Sequence, residues 1–82
     1  MSKHEIEWSF EGGGMYASEI VTSEGDEFTA FVEREPAGLR EALTLHDEEG
    51  DEMLMVRIPV SIMSRGNVLA YATKQVAEYL EI

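Results

Sequence analysis

The 82-residue chain contains no cysteine. This absence excludes disulfide bonds, thiolate zinc sites and a cysteine nucleophile. Small secreted domains usually rely on disulfides, so a chain without them is expected in the cytoplasm. The first residues, which include Lys3, His4 and Glu5, also lack the apolar segment of a signal peptide.

Basic residues are scarce as well. Six Lys and Arg stand against 17 Asp and Glu, which gives a formal net charge of −11. Binding to a nucleic-acid backbone requires clustered Lys and Arg, and docking on an anionic membrane surface requires the same charges. The composition therefore argues against direct nucleic-acid binding and membrane docking, and it predicts a basic protein as partner.

Long hydrophobic runs are also missing. The most apolar stretch, residues 53–63, is interrupted by Arg57 and Pro59 and is much shorter than a membrane span. Hydrophobic residues nevertheless make up 44% of the chain, which is typical of a folded protein and too high for a disordered acidic tail. We expect a single domain over residues 1–82.

Alternation of apolar and polar residues predicts strands in the first part of the chain. The first strand covers residues 4–11, and its core-facing residues are His4, Ile6, Trp8 and Phe10. A glycine loop at residues 12–14 and a turn at residues 23–26 separate two further strands, at residues 15–22 and 27–34. Short connections of this kind favour an antiparallel meander.

Residues 39–47 are compatible with two structures. Leu39, Ala42 and Leu43 have helical spacing, whereas Leu43 and Leu45 alternate as in a strand. A strand is favoured, because residues 47–51 have the composition of a hairpin turn that leads into another strand at residues 53–62. The core-facing residues of that last strand are Leu54, Val56, Ile58 and Val60.

The end of the chain has the pattern of an amphipathic helix. Residues 64–67 are typical of a helix start, and apolar residues then recur at three- and four-residue spacing from Val68 to Leu80. The pattern predicts a helix over residues 65–80. The predicted fold is α+β, with an antiparallel meander of four or five strands and one C-terminal helix packed on one face.

The acidic residues are concentrated in the predicted strands and turns. Residues 1–52 carry a net charge of −12, and residues 53–82 carry a net charge of +1. One helix covers one sheet face, so the other face stays open and carries both acidic and apolar side chains. Apolar residues grouped on a charged surface are typical of a partner site, and methionine adapts to irregular partners. The candidate partner-binding residues are Glu5, Glu7, Glu27, Phe31, Glu33, Met53 and Met55.

No pattern in the sequence indicates catalysis. His4 is expected to be structural, and the glycines at 12–14 are not followed by the Gly-Lys-Ser/Thr of a phosphate loop. The segment from His46 to Glu52 lacks the spacing of a calcium loop and is expected to be a solvated turn. Acid–base catalysis needs a carboxyl group in an apolar pocket, and every acid here has a polar sequence context. We therefore expect no enzymatic activity, no cofactor, and no catalytic or metal-binding residue.

In its size, charge and architecture, the chain resembles phage-encoded inhibitors of bacterial defence, such as anti-CRISPR proteins and anti-restriction DNA mimics. The resemblance implies a non-enzymatic inhibitor that occupies the basic groove of a nucleic-acid-binding protein in a bacterial host cell. Two alternatives remain open. The chain could be a small homodimeric structural or adaptor subunit whose self-association covers Phe31, Met53 and Met55, or its acidity could serve solubility or a salty cytoplasm.

Overall fold

The computed structural model describes residues 6–35 and 40–82. Five strands form one antiparallel sheet in the order β1-β2-β3-β4-β5, followed by a single helix. The elements are β1 (Ser9–Gly12), β2 (Met15–Val21), β3 (Glu27–Arg34), β4 (Glu41–Asp47), β5 (Glu52–Arg57) and α1 (Arg65–Leu80). The predicted α+β meander with a C-terminal helix is therefore confirmed, with five strands.

Two tight turns explain why neighbouring strands are also neighbours in sequence. In the β2–β3 turn the Gly25 N–H donates to the Thr22 carbonyl at 2.9 Å, and in the β4–β5 turn the Gly50 N–H donates to the Asp47 carbonyl at 2.9 Å. Gly25 and Gly50 have φ angles of 88° and 90°. Residues with a side chain rarely adopt such angles, so glycine at these two positions allows the chain to reverse direction.

The ambiguous segment forms a strand. β4 runs from Glu41 to Asp47 and pairs with β3 on one side and β5 on the other, while Leu39 lies outside the described residues. Leu43 and Leu45 are fully buried in the sheet. The segment forms a strand and not a helix because the alternation of a strand places both leucines on the one sheet face that packs in the core.

Two predicted strands are shorter than the sequence suggested. β5 ends at Arg57, because Pro59 lacks an N–H group and accepts a hydrogen bond from the Ile62 N–H in a turn. Val60 follows the end of the strand and is 60% exposed, so its predicted core position was wrong. At the other end, β1 begins only at Ser9, and the predicted positions of His4 and Glu5 lie outside the described residues.

The segment before β1 reaches the core without forming a strand. Ile6 and Trp8 pack against the buried cluster, and the Trp8 Nε1–H donates a 2.8 Å hydrogen bond to Thr73 Oγ1 on α1. Phe10 was predicted to face the core but is 63% exposed. β1 is an edge strand, so the Phe10 ring has a strand neighbour on one side only, where it contacts Tyr16 at a centroid distance of 5.2 Å.

The core lies between α1 and one face of the sheet. The helix contributes a stripe of Val68, Ala72 and Val76, all of which are buried. The largest fully buried side chains are Leu43, Leu45, Ile58, Val32, Val68 and Val76. Burial of side chains of this size stabilises a fold by about 1.5–3 kcal/mol each, so the helix covers the sheet face that carries Val32, Leu43 and Leu45.

Both ends of α1 are capped. The Ser64 hydroxyl accepts a hydrogen bond from the Asn67 N–H at 3.2 Å, and Glu81 ends the helix in a left-handed conformation with φ of 60°. Start and end agree with the predicted range. Within the described residues, no helix is long and apolar enough to cross a membrane.

Candidate functional site: the open sheet face

The face of the sheet opposite α1, here called the open face, is ordered by the strand register. Ser9 pairs with Ala17, Ala17 with Phe31, Phe31 with Thr44, and Thr44 with Met55. Residues that pair directly across strands point to the same side of a sheet. These residues therefore form one row across all five strands, which we call the central row: Ser9, Ala17, Phe31, Thr44 and Met55.

The central row is uncharged, and acidic residues lie on both sides of it. On one side Glu19 pairs with Thr29, Thr29 with His46, and His46 with Glu52. Farther out on the same side Glu27 pairs with Val21.

On the other side of the central row Glu33 pairs with Ala42, and Ala42 pairs with Arg57. Residues two apart on a strand are separated by about 6.8 Å, and neighbouring strands by about 4.8 Å. Glu19 and Glu52 therefore border the central row on one side and Glu33 on the other, and Glu27 lies one row farther out.

Phe31 is the aromatic residue of the central row and has small neighbours, Ala17 and Thr44. Two shallow depressions of about 450 Å³ and 420 Å³ meet at Phe31, one toward β1 and the other toward β4. The ring stays half-buried and contacts the edge of His46 at a centroid distance of 5.5 Å. A ring between two depressions is accessible to a partner from both sides.

His46 is held in place by its own hydrogen bonds. Its Nε2 lies 3.3 Å from Thr44 Oγ1, and its Nδ1 lies 3.3 Å from the Gly50 carbonyl oxygen. The imidazole thereby supports one side of the Phe31 ring. His46 is therefore a positioning residue for the aromatic centre of the open face.

The structure places several predicted site residues on the open face. Glu7 and Phe31 line the depression toward β1, and Glu27 and Phe31 line the one toward β4. Glu33 is exposed beside the central row, and Met55 is the last residue of that row, with 48% of its surface exposed. Glu5 lies outside the described residues.

Met53 lies at an irregularity in the pairing of β5 with β4. Leu54 pairs with Leu45, but the next pair is His46 with Glu52, so Met53 has no partner in β4. This β-bulge shifts the register by one residue. Glu52 therefore pairs with His46 on the open face, and Met53 lies exposed beside it in the edge strand.

The sequence prediction missed Glu19 and the small residue Ala17 on the open face. The sequence of β2 does not separate into an apolar and a polar face, because Ser18 is a polar residue on the core side. In the structure Ser18 and Ile20 are buried, and Ala17, Glu19 and Val21 alternate with them. If Ser18 is assigned to the core side, the sequence of β2 alternates regularly between buried and open-face residues.

The electrostatic character of the open face is anionic. Among its described residues, the only basic side chain is that of Arg57, whose Nε lies 3.2 Å from Glu35 Oε2. That ion pair is largely exposed and therefore contributes little to stability. It does, however, offset the charge of Arg57 and leaves the surrounding carboxylates uncompensated.

A second acidic cluster lies in the β4–β5 turn, where carboxylate oxygens of Asp47, Glu49 and Asp51 are within 4.8 Å of one another. Asp47 Oδ1 accepts hydrogen bonds from the Glu49 and Asp51 N–H groups, each at 2.9 Å. Asp residues commonly stabilise turns in this way. The geometry of the turn accounts for the cluster.

Comparison of the chain with protein-family models, curated proteins and solved structures found no match.

Proposed function

We propose that the protein is a non-enzymatic inhibitor that binds the basic groove of a nucleic-acid-binding protein and competes with its nucleic acid. A phage-encoded inhibitor of a bacterial defence enzyme is the biological setting that fits this role. The observation that carries the proposal is the open face, where carboxylates border an uncharged central row. The proposal concerns partner binding only and needs no cofactor.

Charge supplies long-range attraction in this mechanism. A protein of net charge −11 is steered toward a Lys/Arg-lined groove, and its carboxylates displace the anions that neutralise the groove. The same charge repels nucleic acid, so the inhibitor and the nucleic acid compete for the groove and do not bind each other.

Apolar contacts supply specificity at short range. Phe31 and Met55 lie in the same row, separated only by Thr44, and both are accessible on the open face. Interfaces derive most of their binding energy from a few such residues near the centre, with polar contacts around them. Phe31 and Met55 are therefore the anchors, and Glu7, Glu19, Glu27 and Glu33 form the charged rim.

The test starts with capture of basic nucleic-acid-binding proteins from a bacterial lysate on the immobilised chain. Each captured protein is purified, and displacement of its labelled DNA by the wild-type chain is measured by fluorescence anisotropy. The triple variant Glu19→Gln/Glu27→Gln/Glu33→Gln should inhibit about 10–100-fold more weakly, because three rim charges are lost. Phe31→Ala should weaken inhibition by about tenfold or more, because an anchor is lost.

The control is the triple variant Glu24→Gln/Glu49→Gln/Glu78→Gln, which removes the same charge from exposed residues away from the central row. It should inhibit within about threefold of the wild type. Inhibition should also weaken steeply between about 50 and 300 mM salt. Equal losses in both triple variants, or inhibition that does not change with salt, would contradict the proposal.

A further inference from the structure

The strand β5 forms one edge of the described sheet, with β4 as its single strand neighbour. The Ile58 N–H donates to the Glu41 carbonyl at 2.8 Å, and hydrogen-bonded pairs alternate along an antiparallel ladder. The pairs Leu43–Val56 and Leu45–Leu54 are therefore hydrogen-bonded to β4. It follows that Met55 and Arg57 direct their backbone N–H and C=O groups outward, as an edge that can accept another strand.

β5 and the loop that follows it also carry exposed apolar residues. Eight large hydrophobic side chains of the described residues are exposed, and four of them lie in β5 or in the loop that follows it. These four are Met53 (39% exposed), Met55 (48%), Val60 (60%) and Met63 (87%). An apolar group beside unpaired backbone is typical of an interaction edge.

Charge determines which kind of partner this edge fits. Two copies of a chain with net charge −11 repel each other over most of their surfaces. Residues 53–82, however, which include all of β5 except Glu52, carry a net charge of +1, whereas residues 1–52 carry −12. The opposite edge, β1, is short, has an irregular register between Phe10 and Gly12, and carries Glu11. A second copy therefore meets the least repulsion at β5.

We propose that two copies of the chain pair through β5 in antiparallel orientation, with Met55 on the two-fold axis. Met55 then lies opposite Met55 of the partner subunit, so that the outward backbone groups of both residues bond to each other. Antiparallel pairing brings the Arg57 end of one strand next to the Glu52 end of the other, so that the exposed guanidinium, which pairs with Glu35 of its own chain, also lies near the Glu52 carboxylate of the partner subunit. The alternatives, a monomer and a partner of different sequence at β5, are outcomes of the test.

The dimer would extend the sheet and the central row from one subunit into the other. Two five-stranded sheets would become one continuous ten-stranded sheet. An axis perpendicular to the sheet keeps both open faces on the same side, so the central row continues from Met55 into the row of the partner subunit. On the helix side, the half-buried Leu54 and Val56 gain an apolar neighbour in the other copy.

The first test uses the absence of cysteine, because a single introduced thiol has no competing partner in the chain. In a hydrogen-bonded antiparallel pair the Cα atoms are about 5.5 Å apart, which is within the range for a disulfide. Met55→Cys should therefore form a covalent dimer under mild oxidation. The control Phe10→Cys carries an exposed thiol at the opposite edge and should cross-link at least about tenfold more slowly, as expected for random collision.

The second test measures mass in solution by sedimentation equilibrium of the pure wild-type chain. At about 100 µM it should sediment at twice the 9.2 kDa chain mass, and the dimer should strengthen as salt screens the repulsion. Met55→Glu should raise the dimer dissociation constant by about tenfold or more, because like charges meet on the axis. The control Val21→Glu, which adds the same charge at an exposed site on β2, should change it by about threefold or less.

Both tests need no inhibited target, so they are independent of the proposed function. A wild-type chain that stays monomeric at about 200 µM in both low and high salt would overturn self-pairing. So would cross-linking of Phe10→Cys as fast as Met55→Cys. A monomer that binds another protein through β5 would also overturn it and would assign the edge to that partner.

Discussion

At the scale of single residues, the most informative contact joins Glu41 at the start of β4 to Arg65 at the start of α1. Arg65 Nη1 donates to Glu41 Oε1 at 2.7 Å, and the guanidinium lies 5.2 Å from the centroid of the Tyr16 ring. Only 9% of Glu41 is exposed. A carboxylate so far from water needs a cation, so this pair holds the first turn of the helix against the sheet.

The Arg65→Met substitution tests this contact. It should lower the free energy of unfolding by about 1–2 kcal/mol, between the values for exposed and buried ion pairs, because Glu41 loses its cation while Arg65 itself is partly exposed. Urea unfolding followed by circular dichroism measures the change. The control Arg57→Met removes an arginine from an exposed ion pair and should cost about 0.5 kcal/mol or less.

The pH dependence of the Arg65 contribution follows from its pKa. The hydrogen bond from Arg65 to Glu41 raises the pKa of Arg65, partial burial opposes this rise, and the charge of Glu41 adds to it. A raised pKa in the folded state stabilises the fold at every pH below the unfolded value and loses this effect only in strong alkali. Protonation of Arg65 should therefore add no slope to stability between about pH 5 and 9. A loss of the Arg65→Met effect between pH 7 and 9 would contradict this assignment.

At the scale of elements, the sheet and helix are held together by the apolar stripe of α1. Val68, Ala72 and Val76 recur at four-residue spacing and are all buried against the sheet. The Trp8–Thr73 hydrogen bond adds a polar link between the same helix and the segment before β1. The helix therefore stays on this face unless the stripe is disrupted, and among the described residues no helix covers the open face.

The Val76→Ala substitution tests the stripe. It should reduce the free energy of unfolding by about 2 kcal/mol, because the loss of two buried methyl groups combines lost burial with a cavity. Thermal or urea unfolding provides the measurement. Val60→Ala is the matched control, since the same change at a residue 60% exposed should stay within about 0.5 kcal/mol. Equal effects at both positions would mean that α1 does not pack as described.

At the scale of the whole molecule, charge opposes compactness. The net charge of −11 belongs to a chain of 82 residues, and β2, β3 and the β4–β5 turn hold many of the carboxylates close together. Self-repulsion of this kind destabilises the folded state and is screened by salt. The charge on which the proposed binding of a basic partner depends therefore reduces the stability of the folded protein.

Thermal unfolding at different salt concentrations tests this balance. The melting temperature should rise by about 3–8 °C between about 10 mM and 0.5 M sodium chloride at pH 7, because screening weakens the repulsion. Near the sequence pI of about 4.3 the net charge is close to zero, and the salt increment should shrink. A chain that folds only in molar salt would instead favour adaptation to a salty cytoplasm.

Much of the secondary structure could be predicted because it follows from local patterns. The alternation in β3 and the three- and four-residue spacing in α1 depend only on neighbours in sequence, and both elements have the predicted bounds. The predictions of strand ends and of burial were wrong where these depend on contacts with residues distant in sequence. Pro59 and the following turn ended β5, and the edge position of β1 left Phe10 exposed.

The sequence alone determined the net charge and its concentration in residues 1–52, because both follow from counting charged residues. It also determined the order of strands and helix, because each element follows from the spacing of apolar residues close together in the chain. Only the tertiary structure decided which side chains share a row, since register depends on pairing between strands. That register placed Phe31 and Met55 in one uncharged row and made β5 an edge of the described sheet, and the packing of α1 brought Arg65 to Glu41. Contacts between residues distant in sequence arise from packing, and no local pattern encodes them.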